Sequence, residues 1–538
     1  MQRLNPLDAS FLHLERDVQQ LNVGSALIFE GPAPTYDEVC HEIEAKLPQL
    51  PRYRQRIRHV PLELGRPVWL DDQHFRLREH VRHHQVRGRG TDRSLRTLAV
   101  HLISQPLDLE RPPWRTWLVT GLQDGRWALV NTNHHAMIDG ISGADIMGVL
   151  LQTSPEPAAD ATRSDATADA AVSTAWTPAP DPSSARLVLT ALAELVTSPL
   201  RAARTVVAAL RPKSLRLELS EAYGVARVGE QLARPEFGLT GHIGPKRRWA
   251  WAGTDLTTVK RIKNVYGGTV NDVVLAVTAG GFRRLLLSRG QTVDERTVRT
   301  MVPVSTRHTD EHGTLGNRVS AVFAELPVGI ADPVARLHAV TEQLHSLKTS
   351  GEALGVDALL GAAGYVPGTV YALALRTWAR SPQRMLSTVV TNVPGPRVPL
   401  YLLGRRMTDI YPYIPLAVDV RITIGIASYA GQLTWGATGD YDSVPDLQVL
   451  SDGIQESIAE LSAAVSSAAG STVAASSAAA PSPDGASSAT TGGNRATATK
   501  AAVHKAKARK KTAHTTTAHQ TTTTKQRTAA STPEVHHA

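Results

Sequence analysis

The chain has 538 residues, of which 42% are apolar, so it is long enough to form two globular domains. Its single cysteine, Cys40, excludes intramolecular disulfides and cysteine-rich metal sites. The formal net charge is +9, but residues 471–538 hold nine Lys or Arg and two acids, so +7 of that charge lies in the tail. The body is nearly neutral, and an argument from charge to nucleic acid applies only to the tail.

The first predicted domain covers residues 1–153. Residues 126–133, RWALVNTN, form an apolar run that predicts a buried strand, and residues 141–152 have the periodicity of a helix. Between them lies the segment HHAMIDG, in which His134 and His135 are followed by Asp139 and Gly140.

Two connecting segments follow. Residues 154–185 are rich in Ala, Asp, Thr, Ser and Pro, which predicts a linker or a mobile surface loop. Residues 186–243 form a predicted helical connector. Most of its helical pattern lies over 185–211, where apolar residues recur at helical spacing, arginines lie on the opposite face and Pro199 predicts a kink. This segment is either a packed connecting helix or a basic amphipathic helix that lies on a membrane.

The second predicted domain covers residues 244–463. Its patterns predict helices over 255–266, 271–288 and 333–348, and strands over 299–304, 318–326, 386–391, 420–428 and 432–437. Residues 464–538 contain almost no large apolar side chains, so we predict a disordered basic tail.

The sequence patterns predict neither a signal peptide nor a membrane span. Its first residues lack the apolar core of a signal peptide. Residues 358–375 are uncharged, but three glycines, a proline and few large apolar residues favour a buried or interfacial segment over a membrane span. The expected location is the cytoplasm.

The histidine pair is compatible with three kinds of site. A rigidly held histidine can act as a general base, because the pKa of imidazole lies near neutrality. Gly140 suits a tight turn, and Asp139 could orient that turn or act on the imidazole. Alternatively, the histidines and Asp139 could bind a metal, although adjacent strand residues point to opposite faces. The third interpretation is a buried, hydrogen-bonded structural pair.

The pattern HHxxxDG resembles the signature of the acyltransferase superfamily that includes chloramphenicol acetyltransferase, carnitine acyltransferases and condensation domains. Within it, residues 1–463 resemble the bacterial wax ester synthase/diacylglycerol acyltransferase family. The similar segments occur in the expected order: NPLDASFLHLE (5–15), PLDLERPPWR (106–115), GGTVNDVVLAVTAGGFRRLL (267–286), MVPVSTR (301–307), LGNRVS (315–320), TNVPGP (391–396) and IASYAGQLTWGATGD (426–440).

The resemblance implies two similar α/β halves that face each other across a tunnel. It implies that His135 is the general base, which deprotonates an acceptor hydroxyl for attack on an acyl-CoA thioester and then protonates the CoA sulfur, without an acyl-enzyme. Asp139 is expected to support the loop structurally, His134 to shape the site, and Gly140 to leave room for the substrate or the turn.

Three residues of the second domain complete the predicted site. Asn271 has two interpretations, a helix N-cap and, together with Asp272, a functional role near the active centre implied by the resemblance. Asn271 and Ser428, in that order, are candidate donors to the oxyanion of a tetrahedral intermediate. The Pro-Gly pair in TNVPGP marks a turn that is expected to form the crossover between the halves.

The resemblance implies transfer of a long-chain acyl group from acyl-CoA, a co-substrate, to diacylglycerol or a fatty alcohol, with no cofactor and no metal. It also implies that the protein associates peripherally with membranes or lipid droplets. The alternatives are an enzyme that uses a carrier-protein thioester and a degenerate lipid- or nucleic-acid-binding relative. The basic tail could attach to anionic lipid or to nucleic acid, or remain solvated without a partner.

Overall fold

A computed structural model describes residues 1–137, 147–156, 176–194, 238–294, 296–305, 319–349, 368–380, 386–416 and 419–478. Asp139, Gly140, the predicted kink at Pro199 and the chain from residue 479 onward lie outside the described residues. So does most of the predicted linker over 154–185, and the helix predicted over 141–152 is described only from residue 147.

The described chain is a mixture of helices and strands. The helices are α1 Pro6–Leu14, α2 Tyr36–Lys46, α3 Leu77–His80, α4 Asp92–Ile103, α5 over 184–194, α6 Leu256–Tyr266, α7 Val270–Ser288, α8 Pro333–Thr349, α9 Gly368–Arg380 and α10 Leu447–Ala478. The strands are β1 Gln2–Arg3, β2 Asn22–Phe29, β3 Gln55–Arg58, β4 Val68–Asp71, β5 Val81–Gln85, β6 Trp114–Thr120, β7 Trp127–His134, β8 Arg247–Asp255, β9 Val298–Ser305, β10 Val319–Leu326, β11 Thr388–Pro394, β12 Tyr401–Leu402, β13 Arg405–Tyr413, β14 Ile422–Tyr429 and β15 Gln432–Asp440.

Two six-stranded sheets form the framework. The first has the strand order β12-β13-β2-β7-β6-β5, and the second has the order β10-β9-β11-β14-β15-β8. In the first sheet only the edge pair β5/β6 is parallel, whereas in the second β11 runs parallel to both of its neighbours. A small sheet, β1-β4-β3, lies beside them.

The strand predicted over 126–133 is β7, in the middle of the first sheet. Its first four residues, 127–130, are all buried. Leu129 packs in one apolar cluster with Phe29, while Ala128 and Val130 pack in another with Leu95 of α4. Both faces of the strand are therefore covered, which explains why its sequence is a continuous apolar run rather than an alternating one.

Each helix and strand predicted in the second domain is present, and its ends agree with the prediction to within three residues. Its core helix, α7, is buried along its length between the sheet and α10. Gly281 makes that approach possible, because a Cβ there would lie 2.6 Å from Cγ1 of Ile454. The Gly-Gly pair within the resemblance segment 267–286 is thus explained by helix packing.

The chain crosses between the two sheets after β11. Strands β12 and β13 join the first sheet, where β13 pairs with β2, and β14 then returns to the second sheet beside β11. The crossover predicted at TNVPGP is confirmed. The predicted boundary is corrected, because residues 401–413 belong to the sheet of the N-terminal half rather than to a self-contained unit over 244–463.

The C-terminal boundary also needs correction. Helix α10 continues to Ala478, so residues 464–478 are helical, whereas the sequence predicted disorder from residue 464. Alanine has the highest helix propensity, and this Ala-rich stretch extends a helix already fixed by the packing of Leu450, Ile454 and Leu461.

Among the described helices, none combines the length and apolar composition needed to cross a bilayer.

Candidate active site

The histidine pair lies where β7 leaves the first sheet. The backbone N–H of His134 donates to Pro113 O at 2.9 Å, and that of His135 donates to Leu21 O, also at 2.9 Å. Met137 N–H then donates to His134 O at 2.8 Å and closes a turn. The backbone of both histidines is therefore fixed by three hydrogen bonds, as the strand-and-turn prediction requires.

The two imidazoles have different surroundings. His134 is fully buried, and its Nδ1 accepts a hydrogen bond from Ala136 N–H at 3.1 Å. Its Nε2 lies 3.3 Å from Oε2 of Glu15 and donates to that carboxylate, since Nδ1 is the acceptor. Both ring nitrogens of His134 are engaged within the fold, so this histidine is a structural residue that holds the turn.

Glu15 connects the turn to the N-terminal segment. Its Oε1 accepts from Leu21 N–H at 3.3 Å, and the carbonyl of the same Leu21 receives the N–H of His135. The sequence prediction omitted Glu15, although it is the last residue of the resemblance segment 5–15. A buried histidine needs a hydrogen-bond partner, and an acid in a segment of the same family signature was a candidate for that partner.

The Glu15 contact predicts a stability difference between two substitutions. Glu15→Ala removes the acceptor of two N–H groups and should lower the free energy of unfolding by about 1–3 kcal/mol. Glu15→Gln keeps a neutral acceptor and should cost less. Urea denaturation measures both, with the exposed Asp17→Ala as the control. Equal stability of the wild type and Glu15→Ala would contradict the contact.

His135 is half-buried, and its ring stacks on Phe11 of α1. The ring centroids are 3.9 Å apart with an interplanar angle of 21°. Helix α1 is itself fixed at its start, where the Asn5 side chain accepts from Asp8 N–H at 2.7 Å and Pro6 occupies the first helical position. The segment NPLDASF therefore positions an aromatic ring against the predicted base.

The start of α7 gives Asn271 and Asp272 different roles. The N-cap is Thr269, whose hydroxyl accepts from Asp272 N–H at 3.2 Å, while Oδ2 of Asp272 accepts from Thr269 N–H at 2.8 Å. This is a reciprocal capping box. The N-cap interpretation of Asn271 is therefore wrong. Asn271 is the second helical residue, and the buried Asp272 closes the box.

The capping box predicts the effect of two substitutions at one position. Thr269→Ala removes the hydroxyl acceptor and should lower the free energy of unfolding by about 1 kcal/mol. Thr269→Ser keeps the hydroxyl and should leave stability nearly unchanged. Thermal or urea unfolding of the two variants measures the difference, and equal losses in both would contradict the cap.

Asn271 and Ser428 both contact the segment TNVPGP. Nδ2 of Asn392 donates to Oδ1 of Asn271 at 3.4 Å, and Gly395 N–H donates to Oγ of Ser428 at 3.2 Å. A Cβ at Gly395 would lie 2.3 Å from Ser428 O, so only glycine fits this approach. The sequence prediction treated this segment as a turn alone and missed Asn392, whose side chain bonds to the predicted site residue Asn271.

The predicted site residues that the structure describes thus form two groups, one beside each six-stranded sheet. His134 and His135 lie at the end of β7 with Phe11 and Glu15, whereas Asn271, Asp272 and Ser428 lie around the end of β11. Asp139 and Gly140 are outside the described residues. Across the part of the chain that the structure describes, no three His, Cys, Asp or Glu side chains are grouped closely enough to hold one metal ion.

Comparison with known proteins connects this arrangement to a family. The wax ester synthase/diacylglycerol acyltransferase catalytic domain matches residues 4–274, and the C-terminal domain of the same family matches residues 315–462. The chain belongs to the wax ester synthase/diacylglycerol acyltransferase family. Tgs1 of Mycobacterium tuberculosis, named as a probable diacylglycerol O-acyltransferase, is 33% identical over 467 residues, which cover 86% of this chain and 96% of tgs1. The protein is accordingly an acyltransferase.

Two solved structures share the fold of this acyltransferase. The wax ester synthase/diacylglycerol acyltransferase from Marinobacter aquaeolei VT8 matches with a TM-score of 0.59 and 24% identity, covering 86% of this chain and all of that one. The first condensation domain of the calcium-dependent antibiotic synthetase matches with a TM-score of 0.54 and 17% identity, covering 86% and 97%. At these identities the matches show the fold alone, and they confirm the predicted α/β fold class.

Proposed function

We propose that the protein transfers a long-chain acyl group from acyl-CoA to the free hydroxyl of diacylglycerol, forming triacylglycerol, and that His135 is the general base. The observation that carries this role is the contrast between the two histidines. His134 is fully buried and both of its ring nitrogens bond within the fold, whereas the partly exposed ring of His135 stacks on Phe11 at a turn that is held by backbone hydrogen bonds. The acceptor class follows tgs1, which is named as a diacylglycerol O-acyltransferase.

In the proposed reaction, His135 removes the proton of the acceptor hydroxyl as its oxygen attacks the thioester carbonyl carbon. The resulting tetrahedral intermediate expels the CoA sulfur as the carbonyl re-forms. The imidazolium returns its proton to that sulfur, so the products are an ester and free CoA thiol, and His135 ends neutral. One C–O bond forms and one C–S bond breaks, and no cofactor, metal or acyl-enzyme takes part.

Cys40 offers no competing nucleophile in this scheme. It is buried on α2, and burial raises the pKa of its thiol, which disfavours the reactive thiolate. Direct transfer between the two substrates therefore needs only the base and a means to stabilise the oxyanion.

Asn271 is the preferred oxyanion donor, and Ser428 is the second candidate. The contact from Asn392 engages Oδ1 of Asn271, which leaves the amide nitrogen to donate. The hydroxyl oxygen of Ser428 accepts from Gly395, so Ser428 can donate its proton while it holds the turn. Asp139 is proposed to support the histidine loop, and Gly140 to leave room for substrate.

Fatty alcohol is a further proposed acceptor, because the matching family includes wax ester synthases. Both acceptors present a hydroxyl on a long apolar molecule, so one base serves both. A carrier-protein thioester is the alternative donor, as the condensation-domain fold match leaves that chemistry open. The names of the family and of tgs1 favour the lipid reaction.

The test offers the purified protein labelled palmitoyl-CoA with dioleoylglycerol, with hexadecanol, or with neither. We expect labelled triacylglycerol in the first reaction and a smaller amount of wax ester in the second. A parallel reaction with palmitoyl-pantetheine mimics a carrier-bound donor. Product from palmitoyl-pantetheine but none from palmitoyl-CoA would contradict the proposed donor, and no product with either acceptor would contradict the function.

A further inference from the structure

Two segments that the sequence marks as candidate interfacial segments contact the same loop in the structure. They are α5, from the segment 185–211, and α9, which overlaps the apolar segment 358–375. Both expose large aliphatic side chains. Of the twelve large hydrophobic side chains exposed among the described residues, five lie on these helices and on the loop between them: Leu62, Leu189, Leu192, Val370 and Leu373, with exposed fractions of 83%, 67%, 41%, 54% and 66%.

The loop over residues 61–65 contacts both helices. Arg376 of α9 binds Glu63 through two hydrogen bonds, Nη1–Oε2 at 3.0 Å and Nη2–Oε1 at 2.5 Å. On its other side, Gly65 lies against α5, where an added Cβ would be 3.0 Å from Cβ of Ala191. Both helices therefore neighbour this loop, and we call the five exposed side chains on these three neighbouring elements the apolar face.

Helix α5 is apolar on two opposite sides. Leu187 and Ala191 are buried against the three-stranded sheet in a cluster with Val60. Leu189 and Leu192 point away from that cluster and are exposed. A surface helix normally buries one apolar stripe and presents a polar one to water, so the second stripe on α5 indicates a second apolar environment.

Leu62 is held in an unfavourable backbone conformation. Its φ is 57° and that of Glu63 is 52°, so two consecutive non-glycine residues occupy the left-handed region. Such residues cost free energy that glycine would avoid. The fold thus accepts local strain at the tip of a loop whose leucine is the most exposed large hydrophobic residue described.

The charges around the apolar face favour an anionic lipid surface. Its acidic residues are neutralised within the fold, since Glu63 binds Arg376 and Glu194 binds Arg3 at 2.7 Å. Arg58 and Arg186 are exposed, and within the described residues neither forms an ion pair. A leucine-rich surface bordered by arginines fits a lipid–water interface, where apolar side chains enter the acyl region and arginines bind phosphate headgroups.

The apolar face is also close to the proposed base. Helix α9 packs on α1, and α1 carries Phe11, whose ring stacks on His135. We propose that the apolar face docks the protein on a lipid surface, from which the water-insoluble acceptor reaches the site. This inference rests on the proposed function for its purpose, but the docking itself can be tested without acyl transfer.

The test is flotation with phosphatidylcholine vesicles in high salt, which screens the basic tail. The wild type should float, and the triple variant Leu62→Ser, Leu189→Ser, Leu373→Ser should partition to vesicles at least tenfold less. A matched triple variant of other exposed residues, Val265→Ser, Leu287→Ser, Val398→Ser, should float like the wild type. All three proteins should have the same circular dichroism spectrum and unfolding temperature, because the changed side chains are exposed.

A second arm tests the arginines. Adding phosphatidylglycerol at low salt should strengthen binding of the wild type, and Arg58→Gln with Arg186→Gln should lose part of that gain. Equal flotation of the wild type and the leucine variant, or no flotation of the wild type, would overturn the proposal. So would a dimer that the leucine variant abolishes without vesicle binding, because a second copy would then cover the face.

Activity separates this proposal from the proposed function. The leucine variant should acylate a water-dispersed short-chain diacylglycerol as fast as the wild type, but lose activity at least tenfold on vesicle-embedded diacylglycerol. If the wild type acylates no acceptor, the proposed function fails while flotation still decides the role of the face. If it acylates both forms and the leucine variant does the same, the docking proposal alone fails.

Discussion

Replacement of His135 by alanine is expected to lower kcat for triacylglycerol formation by about 10²- to 10⁴-fold, the usual contribution of a general base. The KM for acyl-CoA should change much less, because the imidazole acts on the acceptor hydroxyl rather than on the nucleotide. The loss should appear in single-turnover rates with palmitoyl-CoA and dioleoylglycerol. His135 is only half-buried, so the variant should fold.

A histidine elsewhere provides the matched control. His84 lies exposed on the edge strand β5, and His84→Ala should leave kcat within twofold, on the order expected for a surface substitution. Circular dichroism and urea unfolding should show both variants folded. A folded His135→Ala protein with wild-type kcat would assign the base elsewhere, and His134 would be a poor replacement because both of its nitrogens are engaged.

Replacement of Phe11 by alanine is expected to lower kcat by about 10- to 100-fold without removing any reacting group. The ring of Phe11 covers one face of the His135 imidazole at a centroid distance of 3.9 Å and restricts its orientation. Without it, the imidazole samples other rotamers and solvent enters beside it. Phe11 is therefore a positioning residue, and its effect should fall on kcat rather than on KM.

Phe11→Tyr distinguishes positioning from general stability. Tyrosine keeps an aromatic ring for stacking, so this variant should retain most of the activity, whereas Phe11→Leu keeps apolar bulk without the ring and should resemble Phe11→Ala in kcat. A purely structural role predicts instead that unfolding free energy and activity fall together. Wild-type kcat in Phe11→Leu would show that stacking does not contribute.

Much of the fold follows from local sequence patterns. The buried strand β7 and the predicted helices and strands of the second half follow from apolar runs and periodicity, but the prediction omits β8, β13 and α10. The sheet that β13 joins is not fixed locally, because a strand at Arg405–Tyr413 could pair in either sheet. Its pairing with β2 is decided by long-range packing, in which Met407 and Ile410 complete the cluster around Phe29.

The site shows the same division between local and long-range information. The HHxxxDG resemblance assigns the base to His135, but the local sequence gives no physical reason for the difference, which comes from Glu15 and Phe11 more than 110 residues away. Helix starts have a similar ambiguity, because both Thr269 and Asn271 are residue types that favour an N-cap. Backbone geometry selects Thr269, and Asp272 three residues later was the local signal for it.

In the proposed reaction the acyl group passes directly from the CoA thioester to the acceptor hydroxyl, with His135 as the base. The most direct test measures free CoA thiol and labelled triacylglycerol in one reaction, at enzyme concentrations high enough to detect a single turnover, with and without dioleoylglycerol. We predict one thiol for each ester formed, and no thiol burst or labelled protein when the acceptor is omitted. A stoichiometric burst of thiol without acceptor, together with acyl label on the protein, would contradict direct transfer and establish an acyl-enzyme instead.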